Sequence, residues 1–268
     1  MIRVWKITKT KSEEVHFNDQ SSLDTLTRQL PDGYYSTFRT YAGCTRVIGL
    51  SAHLRRLPNV DASSLRQNLI QLLEPYRPGE TRVRVLETKQ RQFYIAIEPL
   101  KLLPLAVYEQ GVQVETTALH RNDPRIKSTA FISASDEERK HIAQAGIFEA
   151  LLTRNGKILE GMTSNFFYCL HAAQGKILYT AQRDILLGIT RQTVIRVARS
   201  RGVQVKYQPL KLDQLPAVAE AFITSSSRGI VPVIKIDEVT IGEGSPGKLT
   251  KMLMTAYESA VLKRAENI

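Results

Sequence analysis

The chain has 268 residues, with 37 Lys and Arg against 26 Asp and Glu, giving a formal net charge of +11 at pH 7. Hydrophobic residues at 43% and charged residues at 24% exclude a disordered or low-complexity chain and leave room for one large or two smaller packed domains. No apolar run approaches the roughly 18 residues of a membrane helix, and Met1–Lys6 lacks an apolar signal core, so neither a membrane span nor a secretion signal is expected.

The basic balance admits two readings, a nucleic-acid binder or a surface that favours anionic small molecules. Lys and Arg are scattered at helical spacings rather than gathered in a run or arm, and no nucleic-acid motif accompanies them. Anionic small molecules are therefore the expected partners, with no nucleic acid and no membrane. Cys44 and Cys169 lie in separate apolar segments without metal-ligand spacing, which predicts reduced packing residues, a cytoplasmic setting and no metal site.

In chain order, Arg3–Thr8 alternates as a strand. Tyr34–Tyr41 and Thr45–Leu50 read as a hairpin turning at Ala42-Gly43. Ser51 is placed to cap a helix over Ala52–Leu57 that stops at Pro58, and Ser63–Leu73 carries leucines at helical spacing. Arg82–Leu86 and Gln92–Ile97 form the next strand pair. The proline-bracketed segment Pro99–Pro104 breaks the periodicity and predicts a boundary, with a small N-terminal α+β domain over 1–104 and a larger domain over 105–268. In the second half, Asp136–Ala145 is helical, with acids early and Lys140 and His141 late. Phe148–Arg154 and Lys157–Glu160 form a hairpin through Asn155-Gly156. Ile189–Arg201 is an amphipathic helix, Glu220–Thr224 and Val231–Ile236 are strands, and Lys248–Lys263 closes the chain as a helix.

Three segments of the second half suggest chemistry. Asp123-Pro124-Arg125-Ile126-Lys127-Ser128 puts a lysine in an irregular stretch beside apolar Ile126 and Phe131. Desolvation and nearby cations favour the neutral amine that a Schiff base requires, although a solvated surface lysine has the same local look. Glu160-Gly161-Met162-Thr163-Ser164-Asn165-Phe166-Phe167 sets a carboxylate at the end of a hairpin. It can face a protonated pyridine nitrogen or simply water. Gly188-Ile189-Thr190-Arg191 opens a helix as a phosphate cradle does, or as an ordinary cap does. Thr224-Ser225-Ser226-Ser227 ends a strand with further hydroxyl donors.

In this order the segments resemble the class IV aminotransferases, the family of branched-chain and D-amino-acid aminotransferases and aminodeoxychorismate lyases. The family's Ile-Lys-Ser matches Ile126-Lys127-Ser128, and its Glu-Gly-x-x-Ser-Asn-x-Phe matches Glu160–Phe167. Its Gly-Ile-Thr-Arg matches Gly188–Arg191, and its His-x-x-Arg-Leu matches His53-Leu54-Arg55-Arg56-Leu57. Glu220–Ser226 through Pro232-Val233 resembles its hydroxyl-bearing phosphate turn.

The resemblance implies an α+β, two-domain fold of the type IV group (D-amino-acid aminotransferase-like), with a cleft between the domains for pyridoxal 5'-phosphate (PLP). It implies that Lys127 carries the cofactor as a Schiff base and moves the substrate proton, with Glu160 opposite the ring nitrogen. Arg56, Gly188, Ile189, Thr190, Ser225 and Ser226 would hold the phosphate, with Ser164 and Asn165 among the cofactor contacts. Tyr35, Arg39, Arg84 and Ser227 are the candidates on the substrate side. The partners implied are an amino acid and a 2-keto acid, and the family's assembly is a homodimer.

The sequence also departs from the family pattern. Ser36 stands where aminotransferases carry glutamate in Gly-Asp-Gly-x-Phe/Tyr-Glu, and aminodeoxychorismate lyases tend to have small hydroxyl residues there. Ala130 and Phe131 replace a common asparagine and tyrosine, and Glu87-Thr88-Lys89-Gln90 replaces a Thr-Arg-Gly. The first expectation is therefore an aminotransferase. The second is an aminodeoxychorismate lyase releasing pyruvate to give 4-aminobenzoate, and the third a divergent PLP-binding relative.

Overall fold

The structure is a computed structural model that describes residues 1–8, 11–173 and 177–268. In chain order the elements begin with β1 (Arg3–Ile7), β2 (Ser12–Val15), α1 (Leu23–Arg28), β3 (Gly33–Arg39), β4 (Arg46–Val47), α2 (Leu50–Leu54), α3 (Ala62–Leu73), β5 (Thr81–Thr88) and β6 (Phe93–Pro99). There follow α4 (Leu105–Gln110), β7 (Val112–Thr117), α5 (Ala130–Ala134), α6 (Asp136–Gln144), β8 (Glu149–Arg154), β9 (Lys157–Gly161) and β10 (Asn165–Leu170). The last are β11 (Ile177–Thr180), α7 (Ile189–Ser200), β12 (Gln204–Tyr207), β13 (Leu210–Lys211), β14 (Val218–Ser225), β15 (Gly229–Ile236), β16 (Val239–Thr240), α8 (Lys248–Arg264) and β17 (Glu266–Asn267).

The chain divides into two compact units. The first comprises Met1–Lys101 with Ile126–Ala134 and Val261–Ile268; the second comprises Leu102–Arg125 with Ser135–Ala260.

The first unit is built on a five-stranded sheet in the order β2-β1-β6-β5-β3. Alternation along its strands sends successive side chains to opposite faces. Trp5, Val83, Val85, Ile95 and Ile97 pack with Leu50, Leu54, Leu65 and Leu69 of α2 and α3. Val4, Leu86, Tyr94 and Ala96 pack with Leu23 and Leu26 of α1 and Ile132 of α5. Both faces are thereby covered, and the α5 contribution explains why Ile126–Ala134 belongs with this unit.

Two expectations fail here. β3 pairs along its length with β5, from Gly33↔Thr88 to Arg39↔Arg82, and not with Thr45–Leu50. The expected hairpin shrinks to a single bridge, Tyr41↔Arg46. Ala42, Gly43 and Cys44 all take positive φ, and the Glu80 carboxylate accepts the Gly43 N–H at 2.9 Å, so the chain turns away before a ladder forms. Nor does Ser51 cap α2. That helix starts earlier, from Gly49, and Ser51 instead donates its backbone N–H and hydroxyl to Glu266.

In the second unit a ten-stranded sheet runs β12-β11-β10-β14-β15-β7-β8-β9-β13, with β16 on β15 and a further β9–β10 pairing. That pairing closes β10, β14, β15, β7, β8 and β9 into a barrel-like ring, with β11, β12 and β13 outside it. Val114, Leu151, Ile158, Phe166, Ile223 and Val231 form the centre of its core. The Asn155-Gly156 turn has φ of 50° and 67°, the left-handed pair that a two-residue hairpin needs, and it delivers β9 beside β8. Among the described residues no helix is long and apolar enough to cross a membrane.

Candidate active site

Lys127 is placed by its backbone. β3 is an edge strand, and residues 127–129 pair onto it: Tyr35 N–H donates to the Lys127 carbonyl at 3.0 Å, and Thr129 N–H to the Gly33 carbonyl at 2.9 Å. The Thr129 hydroxyl accepts the Gly33 N–H at 2.8 Å. Lys127 Nζ lies 4.8 Å from the centroid of the buried Tyr35 ring, and the Arg84 guanidinium lies 4.6 Å from the same ring. Two cations thus share one aromatic π-system, whose negative face offsets part of their mutual repulsion.

Next to Tyr35 on β3, Ser36 is fully buried, with its hydroxyl 2.7 Å from Nδ1 of equally buried His53. Burial first, then the positive charges of Arg56 and Lys127, holds the His53 pKa well below 6.5, so the imidazole is neutral at neutral pH. Arg56 follows α2 by two residues, its N–H on the His53 carbonyl at 3.3 Å.

Arg39 and Arg84 part company. Arg39 is half-buried over the Tyr41 ring, 4.6 Å from its centroid. Arg84 is buried and donates to Thr37 Oγ1 at 3.0 Å, the Leu23 carbonyl at 2.8 Å, Thr27 Oγ1 at 2.7 Å and the Asp24 carboxylate at 2.7 Å. The geometry gives Arg84 the work of holding α1 on the sheet.

In the second unit Glu160, 2% exposed, is the last residue but one of β9, opposite Leu152, and also pairs with Asn165 of β10. Three donors fix its carboxylate. Arg121 Nε reaches Oε1 at 3.0 Å, while Asn165 Nδ2 and the Leu186 N–H each reach Oε2 at 3.1 Å. Arg121 also donates to the Met162 carbonyl at 2.8 Å, and both members of this ion pair are buried. A charge so enclosed is tolerated only when paired and bonded in this way.

Asn165 connects the carboxylate to the start of α7. Its amide nitrogen also donates to the Leu186 carbonyl at 2.8 Å, and a Cβ at Gly188 would lie 2.1 Å from Asn165 Oδ1. Only glycine lets the helix begin this close. No side chain caps α7 at Gly188, and Ile189 and Thr190 are buried in its first turn, whose amides and dipole suit an anion. Thr224 pairs with Asn165 across β14, and Ser225 follows it.

The hydroxyls of Thr224 and Ser164 are buried without hydrogen-bond partners. Buried polar groups left so are costly unless a bound group engages them. Hydroxyl and amide donors suit a phosphate ester, and an enclosed carboxylate suits a protonated ring nitrogen. The donor set fits PLP. Among the described residues no cluster of His, Cys, Asp and Glu can hold a metal ion.

The structure therefore brings Glu160, Ser164, Asn165, Gly188, Ile189, Thr190, Ser225, Ser226 and Ser227 onto neighbouring elements of the second unit. In the first unit it groups Lys127 with Tyr35, His53 and Arg56. Sequence reasoning missed Arg121, which follows β7 in a segment with no periodicity to mark it. It also missed Glu149, although a carboxylate inside Phe148-Glu149-Ala150-Leu151-Leu152 is a legible anomaly.

The family model for amino-transferase class IV matches residues 33–236. The D-alanine aminotransferase of Bacillus licheniformis is 30% identical over 259 residues, covering 87% of this chain and 89% of the relative. The aminodeoxychorismate lyase of Bacillus subtilis is 26% identical over 260 residues, with 85% of each covered. The PLP-bound structure of a hypothetical aminotransferase from Mycobacterium tuberculosis superposes with a TM-score of 0.77. It covers 98% of this chain and 99% of that one at 19% identity, a likeness of fold. The chain therefore belongs to the class IV aminotransferases, PLP enzymes of the type IV fold.

Proposed function

We propose that this enzyme transfers an amino group between an amino acid and a 2-keto acid. Lys127 and Arg56 of the first unit, and Glu160 with the α7 start and the Ser225–Ser227 turn of the second, serve its PLP. PLP supplies the electron sink that makes the α C–H bond of an amino acid labile. Lys127 would hold the cofactor through Nζ; once the substrate's own amino group takes that place and frees it, the Nζ amine is the base that would accept the α-proton and the acid that would give it back. Glu160 holds the proton on the pyridine nitrogen. Arg56, the first-turn amides of Ile189 and Thr190, and the hydroxyls of Ser225 and Ser226 hold the phosphate, with Ser164 and Asn165 beside them. Tyr35, Arg39 and Ser227 orient the substrate.

The observation that carries this reading is the buried Glu160 carboxylate, paired with Arg121 and fixed by Asn165 next to an uncapped helix start. A smaller first domain and a larger cofactor domain, a homodimer and a cytoplasmic setting belong to the same proposal.

A second reading, lyase chemistry releasing pyruvate, is favoured by one feature. Ser36 is turned to His53 rather than presenting a carboxylate, and the B. subtilis lyase is among the relatives. The test is the absorbance of the purified protein. A band at roughly 410–430 nm that shifts on adding amino acids, from a panel of D- and L-forms, supports transamination. Pyruvate release from aminodeoxychorismate without any amino-acid half-reaction supports the lyase. No band with PLP present contradicts both.

A further inference from the structure

Glu149, second in the apolar run of β8, is 1% exposed. Such a carboxylate is retained only when its bonding is complete, and its partners come from two turns. Oε1 accepts the Thr163 N–H at 3.1 Å; Oε2 accepts the Thr163 hydroxyl at 2.6 Å and Arg228 Nη2 at 2.9 Å. Arg228 Nη2 also donates to the Thr163 hydroxyl at 2.6 Å, and its Nε donates to Ser225 Oγ at 3.0 Å. The guanidinium lies over the Phe148 ring, 5.2 Å from its centroid, and Tyr108 donates to the Arg228 carbonyl at 3.0 Å. Gly161 seats the first turn on this carboxylate, since a Cβ there would lie 2.1 Å from Ser164 Oγ and 3.2 Å from Glu149 Cγ.

One buried carboxylate and one arginine therefore fasten the turn after Glu160 to the turn between β14 and β15. The bond to Ser225 also has a direction. A serine hydroxyl has one hydrogen to give; with Arg228 donating into its oxygen, that hydrogen is left for an acceptor elsewhere. Because Glu149 neutralises Arg228, the arginine acts through geometry more than through net charge.

We propose that Glu149 and Arg228 are positioning residues for the cofactor phosphate, aiming the Ser225 hydroxyl and setting the Ser225–Ser227 turn relative to Gly161–Ser164. This rests on the reading that the turn holds the phosphate of PLP. The test titrates apoprotein with PLP and, separately, with pyridoxal, which lacks the phosphate, and follows absorbance. Arg228→Met is expected to raise the Kd for PLP about tenfold or more, the effect of losing a charged hydrogen bond, while the Kd for pyridoxal moves less than about twofold. Thr163→Val keeps the Glu149–Arg228 pair, so it secures a folded variant, and it should raise the PLP Kd by a few fold with the same selectivity. Parallel losses for PLP and pyridoxal, or variants that match the parent, overturn the proposal alone. A parent that binds neither compound overturns the PLP reading and the proposal with it.

Discussion

Around Lys127 the chain relies on its backbone, with residues 127–129 zipped to the edge of β3 and the lysine's tip set against the Tyr35 ring. Around Glu160 it relies on side chains, with both carboxylate oxygens gripped by Arg121, Asn165 and a backbone amide. Backbone pairing fixes where a side chain starts and leaves its torsions to it, which suits the proton carrier proposed for Lys127. A carboxylate bonded at both oxygens cannot swing, which suits the role proposed for Glu160 at the ring nitrogen. The fold thus assigns mobility and rigidity to the two groups by different means.

The largest effect should separate these roles. Lys127→Ala is expected to lower kcat by about 10³-fold or more, while the urea midpoint moves by no more than about 0.5 kcal/mol equivalent, because every backbone contact survives. A large fall in stability would erase the contrast. Glu160→Gln should lower kcat by about 10²-fold and, by leaving Arg121 buried without its counter-charge, destabilise by about 3–5 kcal/mol in denaturant unfolding. Adding Arg121→Met should recover part of that stability but none of the activity.

Smaller effects probe the first unit. Ser36→Ala strands the buried His53 Nδ1 and should cost about 1–3 kcal/mol in unfolding free energy. His53 itself predicts a pH dependence. Its folded pKa lies well below 6.5, whereas unfolded histidine titrates near 6.5, so below that pH the unfolded chain binds a proton that the native protein refuses. Its contribution is complete above about pH 6.5 and declines at up to about 1.4 kcal/mol per pH unit towards the folded pKa. Unfolding curves at stepped pH should show this slope in the parent, and His53→Gln should remove it.

Much of this was legible in the sequence where local rules decide. Asn155-Gly156 forces positive φ at two residues, and the hairpin follows; Ile189–Ser200 and Lys248–Arg264 follow from apolar spacing. The hairpin expected at Ala42-Gly43 failed because strand partnership is a long-range choice: β3 found β5, with partners from Arg39↔Arg82 to Gly33↔Thr88. Glu160 and Gly188 were singled out through motif order, but what joins them in the structure is Asn165, with Arg121 on the carboxylate, and contacts of 5, 21 and 39 residues' separation leave no periodic trace. Arg84 shows the reverse, since a strand arginine suited to a substrate carboxylate is engaged by α1 instead. The attachment of residues 127–129 to β3, nearly a hundred positions earlier, was equally invisible.

The central claim is that Lys127 carries the cofactor, and borohydride reduction of the PLP-loaded protein followed by peptide mapping tests it most directly. The account predicts a pyridoxyl group on the peptide containing Lys127 and on no other lysine. A pyridoxyl group at a different lysine, or none on a protein that binds PLP, would contradict it.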